Sequence, residues 1–318
     1  MAPGIPHFVQ RLRARARRAL DGIFFRLAER NLADLAIARV LTELEAQGPI
    51  RDTAQAVQIL SGCLGAQPAR IVMRASRAGI DSQAARRFDS TLRTLRAGVP
   101  GLTTATSVRF AQLAQELLAD RTPVENELYH FDVGRHFAQS ASKGPKGRIL
   151  TALVRGMRAE RCLELGTQYG ASAFFLLEAQ RDTGVLPDLT SVEGFEPMVG
   201  ISRRILESRF SDGLRLLHGD KRKCLDELAQ ESRRFDLVFH DAGHIGADYL
   251  EDFAALDPLL KSGALLVLDD IRTDYSDRLD DPRVREVSCY DAWRRIAAHS
   301  RVERAVELND TIGIALLA

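Results

Sequence analysis

The chain is poor in cysteine and aromatic residues and has no long apolar run. Its four cysteines, Cys63, Cys162, Cys224 and Cys289, lie far apart and form no C-x-x-C pair. That spacing excludes a disulfide framework and a thiolate metal knuckle, and it leads us to expect reduced thiols in a cytoplasmic setting. No stretch approaches the ~18 uninterrupted apolar residues of a membrane-spanning helix, so no transmembrane segment is expected. Lysine is missing from residues 1–123, which carry 18 Arg and 10 acidic residues, whereas residues 124–318 carry 26 basic and 33 acidic residues. The net charge of +1 therefore hides halves of +8 and −7. "RLRARARR", residues 11–18, has the composition of a nucleic-acid or anionic-lipid patch or of an Arg-rich transit peptide, since no acid precedes Asp21. The plainer reading is a basic first helix turn that faces the acidic half.

What is present describes a globular protein. Hydrophobic content of 45% with 27% charged residues allows a sizeable core, and 318 residues suggest two units. From Asp21 onward "FFRLAERNLADLAIARVLTELEAQG", "TAQAVQILSGCLG", "SQAARRFDSTLRTLRAG" and "SVRFAQLAQELLADRTP" repeat apolar residues at helical spacing and end in Gly or Pro. Residues 1–123 are expected to form an all-helical N-terminal domain serving as cap, oligomerisation element or partner surface. From about residue 148 strands and helices alternate, which predicts a parallel sheet covered on both faces. The strands are expected at Arg161–Leu165, Leu189–Val192, Leu214–Leu217, Asp236–His240 and Ala264–Leu268, with helices near 172–181, 197–210, 221–232 and 247–260. A further helix near Tyr290–Ser300 precedes Val302–Leu308 and Ile312–Leu317, read as an antiparallel hairpin. The fold class is thus α/β and Rossmann-like in residues 124–318, preceded by the helical domain.

Ligands of such a sheet sit beyond the carboxyl ends of its strands. The first strand leads into "LELGTQYGAS", where Gly166 and Gly170 allow a tight turn and close backbone approach. The pattern E-x-G-x-x-x-G, with Glu164 inside it, is neither the dinucleotide G-x-G-x-x-G nor a phosphate loop. Glu193 ends the second strand and is placed to accept hydrogen bonds from two ribose hydroxyls. Together with "HGD" after the third strand and the terminal antiparallel pair, these features make residues from about Gly147 to Ala318 resemble the class I S-adenosylmethionine-dependent methyltransferases. Within them, "GRILTALVRGMRAERCLELGTQYGAS" looks like the entry to the catechol and caffeoyl-coenzyme A type O-methyltransferases. The resemblance implies that Glu164, Gly166, Thr167, Gly170, Ser172, Glu193, Gly219, Asp220 and Asp241 surround S-adenosyl-L-methionine. Gly166 and Gly170 would line its methionine part, Glu193 its ribose, and Gly219 and Asp220 its adenine side.

The fourth strand runs out into "FDLVFHDAGH" and the fifth into "LLVLDDIRTDY", so Asp241, Asp269 and Asp270 emerge at one sheet end. Three converging carboxylates repel one another unless a cation is present, and hard oxygen ligands suit Mg²⁺ or another divalent cation. The metal-dependent O-methyltransferases, which the chain resembles here, carry acids at both places, and the macrolide-sugar type carries a D-x-x-H-I that looks like "DAGHI". By that resemblance Asp241, Asp269 and Asp270 bind the metal and His244 is the catalytic base. An imidazole can take a hydroxyl proton near neutral pH, and a neighbouring divalent cation helps it. Arg272 and Tyr275 are read as contacts to the methyl acceptor, a small molecule with a hydroxyl such as a natural product, sugar or catechol-like diol. Trp293 is read as core. The chain is expected to act as a homo-oligomer without nucleic acid. The alternatives are a metal-independent methyltransferase on another acceptor, or a cofactor-binding interaction protein whose basic helical half holds the partner.

Overall fold

The computed structural model describes residues 69–76, 82–125, 130–140, 145–272, 286–309 and 311–318. The Arg-rich stretch 11–18, the helices expected before residue 69, Cys63 and Tyr275 lie outside them.

In chain order the elements are β1 (Ile71–Ser76), α1 (Gln83–Ala97), α2 (Thr104–Ala119), β2 (Pro123–Glu125), β3 (His130–Asp132), α3 (Val133–Ser140), α4 (Pro145–Met157), β4 (Cys162–Leu165) and α5 (Ala171–Asp182). They continue with β5 (Leu189–Glu193), α6 (Glu196–Phe210), β6 (Leu214–His218), α7 (Lys221–Gln230), β7 (Phe235–His240), α8 (Gly246–Leu256), β8 (Leu260–Leu268), α9 (Cys289–Ala297), β9 (Val302–Leu308) and β10 (Ile312–Leu317). A 3₁₀ turn, Asp257–Leu259, ends α8 earlier than the periodicity suggests, because Pro258 stops the helix.

"CLEL", "LTSVE" and "FDLVFH" are buried almost throughout, as strands covered on both faces must be. The eight-stranded sheet has the order β1-β9-β10-β8-β7-β4-β5-β6. β6, β5, β4, β7 and β8 pair in parallel, β10 runs antiparallel to β8, and β9 antiparallel to β10. This is the mixed α/β sheet with a terminal antiparallel pair that the alternation of elements predicts. Successive residues of a strand serve opposite faces. Leu265 and Val267 join the core formed with α1 to α6, while Leu266 and Leu268 join the one under α7 to α9. Trp293 is fully buried in the second core, as expected, with its indole N–H donated to Glu307 Oε1 at 3.0 Å.

The region before residue 123 is not all helical. β1 adds an edge strand, pairing antiparallel with β9 so that Ile71 faces Leu308 and Ser76 faces Arg304. "IVMRAS" is only partly buried and carries Arg74 toward Glu307 at 2.6 Å. Helices α1 and α2 form where expected, capped by Ser82, which accepts from the Ala85 N–H, and by Thr103, which accepts from the Thr106 N–H. Their buried faces, Phe88, Leu92 and Leu95 on α1 and Phe110, Leu113 and Leu117 on α2, lie in one core with Phe174 and Phe175 of α5. Phe110 and Phe175 have ring centroids 4.5 Å apart.

Candidate active site

Register brings the site together. Leu165 of β4 is paired with Val192 of β5 and with His240 of β7, and His240 is paired with Leu268 of β8. The next residue of each strand, Gly166, Glu193, Asp241 and Asp269, therefore leaves the sheet at one level. Backbone hydrogen bonds continue one step past the strands. The Gly166 N–H donates to Val192 O, Asp241 N–H to Leu165 O and Asp269 N–H to His240 O, at 2.9–3.0 Å. One strand further out, the Gly219 N–H donates to Glu193 O at 3.0 Å.

The loop between β4 and α5 needs its glycines. Gly166 has φ 95° and Gly170 φ 81°, both in the left-handed region. A Cβ on Gly166 would overlap the Asp241 carbonyl oxygen, so the loop can cross β7 only as bare backbone. Glu193 is tied to this loop. Its Oε2 accepts the Gln168 N–H at 2.7 Å and its Oε1 the Phe195 N–H at 2.9 Å. Burial pushes the Glu193 carboxyl above its ordinary range against these bonds. Glu164 lies beneath the loop with no exposed surface and receives the Ser191 hydroxyl, while Ser191 meets Thr167 Oγ1 at 2.5 Å. Burial raises the Glu164 carboxyl to about 7, opposed by hydrogen bonds from Ser172 and Ser191. Glu164, Thr167 and Ser172 thus support the loop from below. Asp220 caps α7, its Oδ1 accepting the N–H groups of Arg222 and Lys223 at 3.0 and 3.2 Å.

On the acidic side, Asp241, His244 and Asp270 of the four residues expected there face one another, and the fourth, Asp269, is paired with Lys146. Ligand atoms of Asp241, His244 and Asp270 lie within 4.8 Å of one another. Asp269 is fully buried; its Oδ2 is bonded to Lys146, while its Oδ1 has no hydrogen-bond partner. Burial, then Asp269, hold the Asp241 carboxyl well above the usual carboxylate range, and the same two causes bring Asp270 to about 6. Burial works against the charge of Lys146, yet the combined field of Asp269, Asp241 and Asp270 leaves its affinity for the proton above that of a free lysine.

His244 is set by its neighbours. The loop reaches it through Gly243 at φ 82°, and His244 itself stands at φ 28°. Its Nδ1 lies 3.2 Å from the Tyr249 hydroxyl and its Nε2 3.5 Å from Asp241 Oδ1. The single hydroxyl proton of Tyr249 goes to the Asp269 carbonyl oxygen at 2.7 Å. The hydroxyl oxygen can then only accept from His244, which places an imidazole proton on Nδ1; in the neutral ring the lone pair is then on Nε2, the nitrogen on the side of Asp241. His240, just before Asp241, accepts the Ala242 N–H at Nδ1 and donates from Nε2 to buried Asp252 at 2.8 Å, and Asp252 also meets Lys221 at 2.6 Å. That network pins the end of β7.

Lys146, Tyr249 and the His240–Asp252 pair were not singled out by the sequence reading. Lys146 carried one usable signal: it is the second residue of α4, where the helix dipole disfavours a cation. Arg272, expected to touch the acceptor, is engaged elsewhere, with Glu307 at 2.9 Å and stacked 4.0 Å from the Tyr290 ring centroid.

A sheet of this order, with a glycine loop after its first parallel strand, defines an α/β methyltransferase domain. The "Methyltransferase domain" family profile matches residues 163–271. A putative O-methyltransferase of Mycobacterium ulcerans (strain Agy99) is 32% identical over 177 residues, covering 52% of this chain and 73% of the relative. A probable O-methyltransferase of Mycobacterium tuberculosis (strain ATCC 25618 / H37Rv) is 31% identical over 177 residues with the same coverage. Among solved structures, the SAH-bound methyltransferase PaMTH1 of Podospora anserina shares the fold at a TM-score of 0.50 and 17% identity, covering 77% of this chain and 99% of that one. The chain belongs to the class I S-adenosylmethionine-dependent O-methyltransferases. Among the described residues, no helix is long and apolar enough to cross a membrane.

Proposed function

We propose that this O-methyltransferase moves the methyl group of S-adenosyl-L-methionine to a hydroxyl of a small molecule, with a divalent cation such as Mg²⁺ at the acidic end of the site. The observation that carries the reading is the common register of β5, β4, β7 and β8, from which Glu193, Gly166, Asp241 and Asp269 leave the sheet side by side. The residues fit a cation: Asp241, Asp270 and the unpartnered buried Oδ1 of Asp269 are hard oxygen donors.

Bound S-adenosylmethionine supplies a methyl already activated by sulfonium charge, and a bound divalent cation supplies positive charge that weakens an acceptor hydroxyl's hold on its proton. The chain's own residues do the rest. The bare backbone at Gly166 and Gly170 admits the methionine part, and Gly219 and Asp220 border the adenine side. Glu193, already oriented by two backbone N–H groups, keeps lone pairs for the ribose hydroxyls. His244 Nε2 accepts the acceptor's proton while Tyr249 holds the ring through Nδ1. Orientation and proton removal then suffice, and no covalent enzyme intermediate is needed. A diol, catechol or sugar would suit a site with adjacent oxygen donors, and the acidic cluster favours this over the metal-independent alternative.

The test is methyl transfer to a panel of catechols, flavonoids and sugar diols after stripping with EDTA, with and without added Mg²⁺, in wild type and His244→Ala. We expect Mg²⁺ to restore turnover. His244→Ala should lose roughly 10²–10⁴ in kcat, partly recovered at high pH where the acceptor ionises unaided, with S-adenosylhomocysteine binding retained. Full turnover in EDTA would remove the cation, and full turnover by His244→Ala at neutral pH would remove the base.

A further inference from the structure

Three carboxylates meet at the ends of β7 and β8, yet one cation of the chain itself already stands among them. Lys146 reaches from the first turn of α4 to Asp269 Oδ2 and is close enough to Asp241 and Asp270 to feel both charges. Among the described residues, Lys146 is the cation paired with this cluster, and if a bound ion held Asp241, Asp269 and Asp270 all ionised, their three negative charges would exceed the ammonium by two. A buried oxygen, Asp269 Oδ1, is left without a partner beside the three ligand groups that face one another. A buried carboxylate oxygen costs free energy unless something positive or hydrogen-bearing meets it.

We infer that Lys146 is a resident cation that stays in place beside the bound metal, neutralises one carboxylate, and so sets the site to the charge of a single divalent ion. Lys146 would thus be a specificity-determining residue for the ion and would not occupy the ion's place. This rests on the cation reading under Proposed function, and it adds a residue that this reading does not use. Two geometric facts support coexistence. Lys146 is bonded to Asp269, whereas the mutually facing ligand atoms belong to Asp241, His244 and Asp270. The lysine also enters from α4 on one side of the sheet, while Tyr249 and His244 enter from α8 and its preceding loop on the other.

The consequence is a rule about charge. Removing a positive neighbour strengthens the site for every cation, and more for a trivalent than for a divalent ion, because the lost repulsion scales with the ion's charge. The experiment uses the full chain saturated with S-adenosylhomocysteine and compares wild type with Lys146→Met, Lys146→Gln and Lys146→Arg. Mn²⁺ binding is followed by electron paramagnetic resonance and Tb³⁺ binding by sensitised luminescence. S-adenosylhomocysteine calorimetry on each variant reports folding, and the Gln variant stands in should the Met variant fail to fold.

Both neutral variants should bind Mn²⁺ on the order of tenfold tighter and gain still more for Tb³⁺, while Lys146→Arg stays near wild type. Unchanged Mn²⁺ and Tb³⁺ affinities in the neutral variants, with wild type binding Mn²⁺, would overturn the inference and leave the cation reading standing. Mn²⁺ bound by the neutral variants alone would also overturn it, showing that lysine and ion exclude each other. No Mn²⁺ bound by any of the four proteins would instead sink the cation reading itself.

Discussion

Single side chains in this site are read through what they are bonded to, and Glu164 is the clearest case. The motif E-x-G-x-x-x-G marks it for the cofactor, but the structure puts it under the loop, fully buried and bonded to Ser191. Its carboxyl is raised to about 7 chiefly by burial, so the fold prefers it protonated. Below about pH 4.5 the group is protonated in folded and unfolded chains alike and costs nothing. As pH rises from there to about 7 the unfolded chain ionises first and stability falls; above pH 7 the penalty is complete, on the order of 3 kcal/mol. Glu164→Gln should remove that component. Urea unfolding at pH 5 and pH 8 should show the variant gaining on wild type at the higher pH. An equal difference at both pH values would show that Glu164 is ionised in the fold.

At the scale of elements, the parallel strands were legible because each is a short apolar run ended by an acid or a glycine. Asp241, Asp269 and Glu193 stand out as charges where such runs stop. β1 was not legible. "IVMRAS" is a six-residue edge strand with Arg74 in it, its partner β9 is more than 200 positions away, and the sequence on either side of it has helical periodicity. Lys146 escaped for the same reason: its meaning comes from Asp269, 123 positions later. Helix α4, which carries it, is packed through two glycines. A Cβ on Gly147 would overlap the Phe175 ring of α5, and one on Gly156 would overlap the side chain of Thr91 on α1. Gly→Ala in a helix interior ordinarily gains about 1 kcal/mol. Here overpacking against a buried β-branched side chain costs about 1–3 kcal/mol and should win. Gly156→Ala is therefore expected to lower the urea midpoint despite the better helix former, and a raised midpoint would show that α1 can move aside.

Across the whole molecule, the charge asymmetry of the two halves has a partial structural explanation. Arg74 pairs with Glu307, and Arg109 with fully buried Glu178, each joining a basic residue before position 123 to an acid after it. The same boundary is crossed by the core shared between α1, α2 and α5. A chain beginning at Val124 would expose Phe174 and Phe175, strip Arg109 from buried Glu178 and leave β9 as the sheet edge. It should lose the cooperative thermal transition and bind the dye ANS; a sharp melt with full S-adenosylhomocysteine affinity would show instead that residues 1–123 are dispensable. The common level at which four neighbouring strands end has one more consequence, concerning distance. Adjacent strands lie about 4.8 Å apart, so from Glu193 on β5 to Asp269 on β8 the sheet lays out three such intervals, about 14 Å. The backbone ladder works as a caliper whose jaws no side-chain rotamer can move. In the proposed reaction, changes in the surrounding loops would alter which acceptors enter, while the reach from donor to receiving oxygen would be inherited unchanged from the spacing of hydrogen-bonded strands.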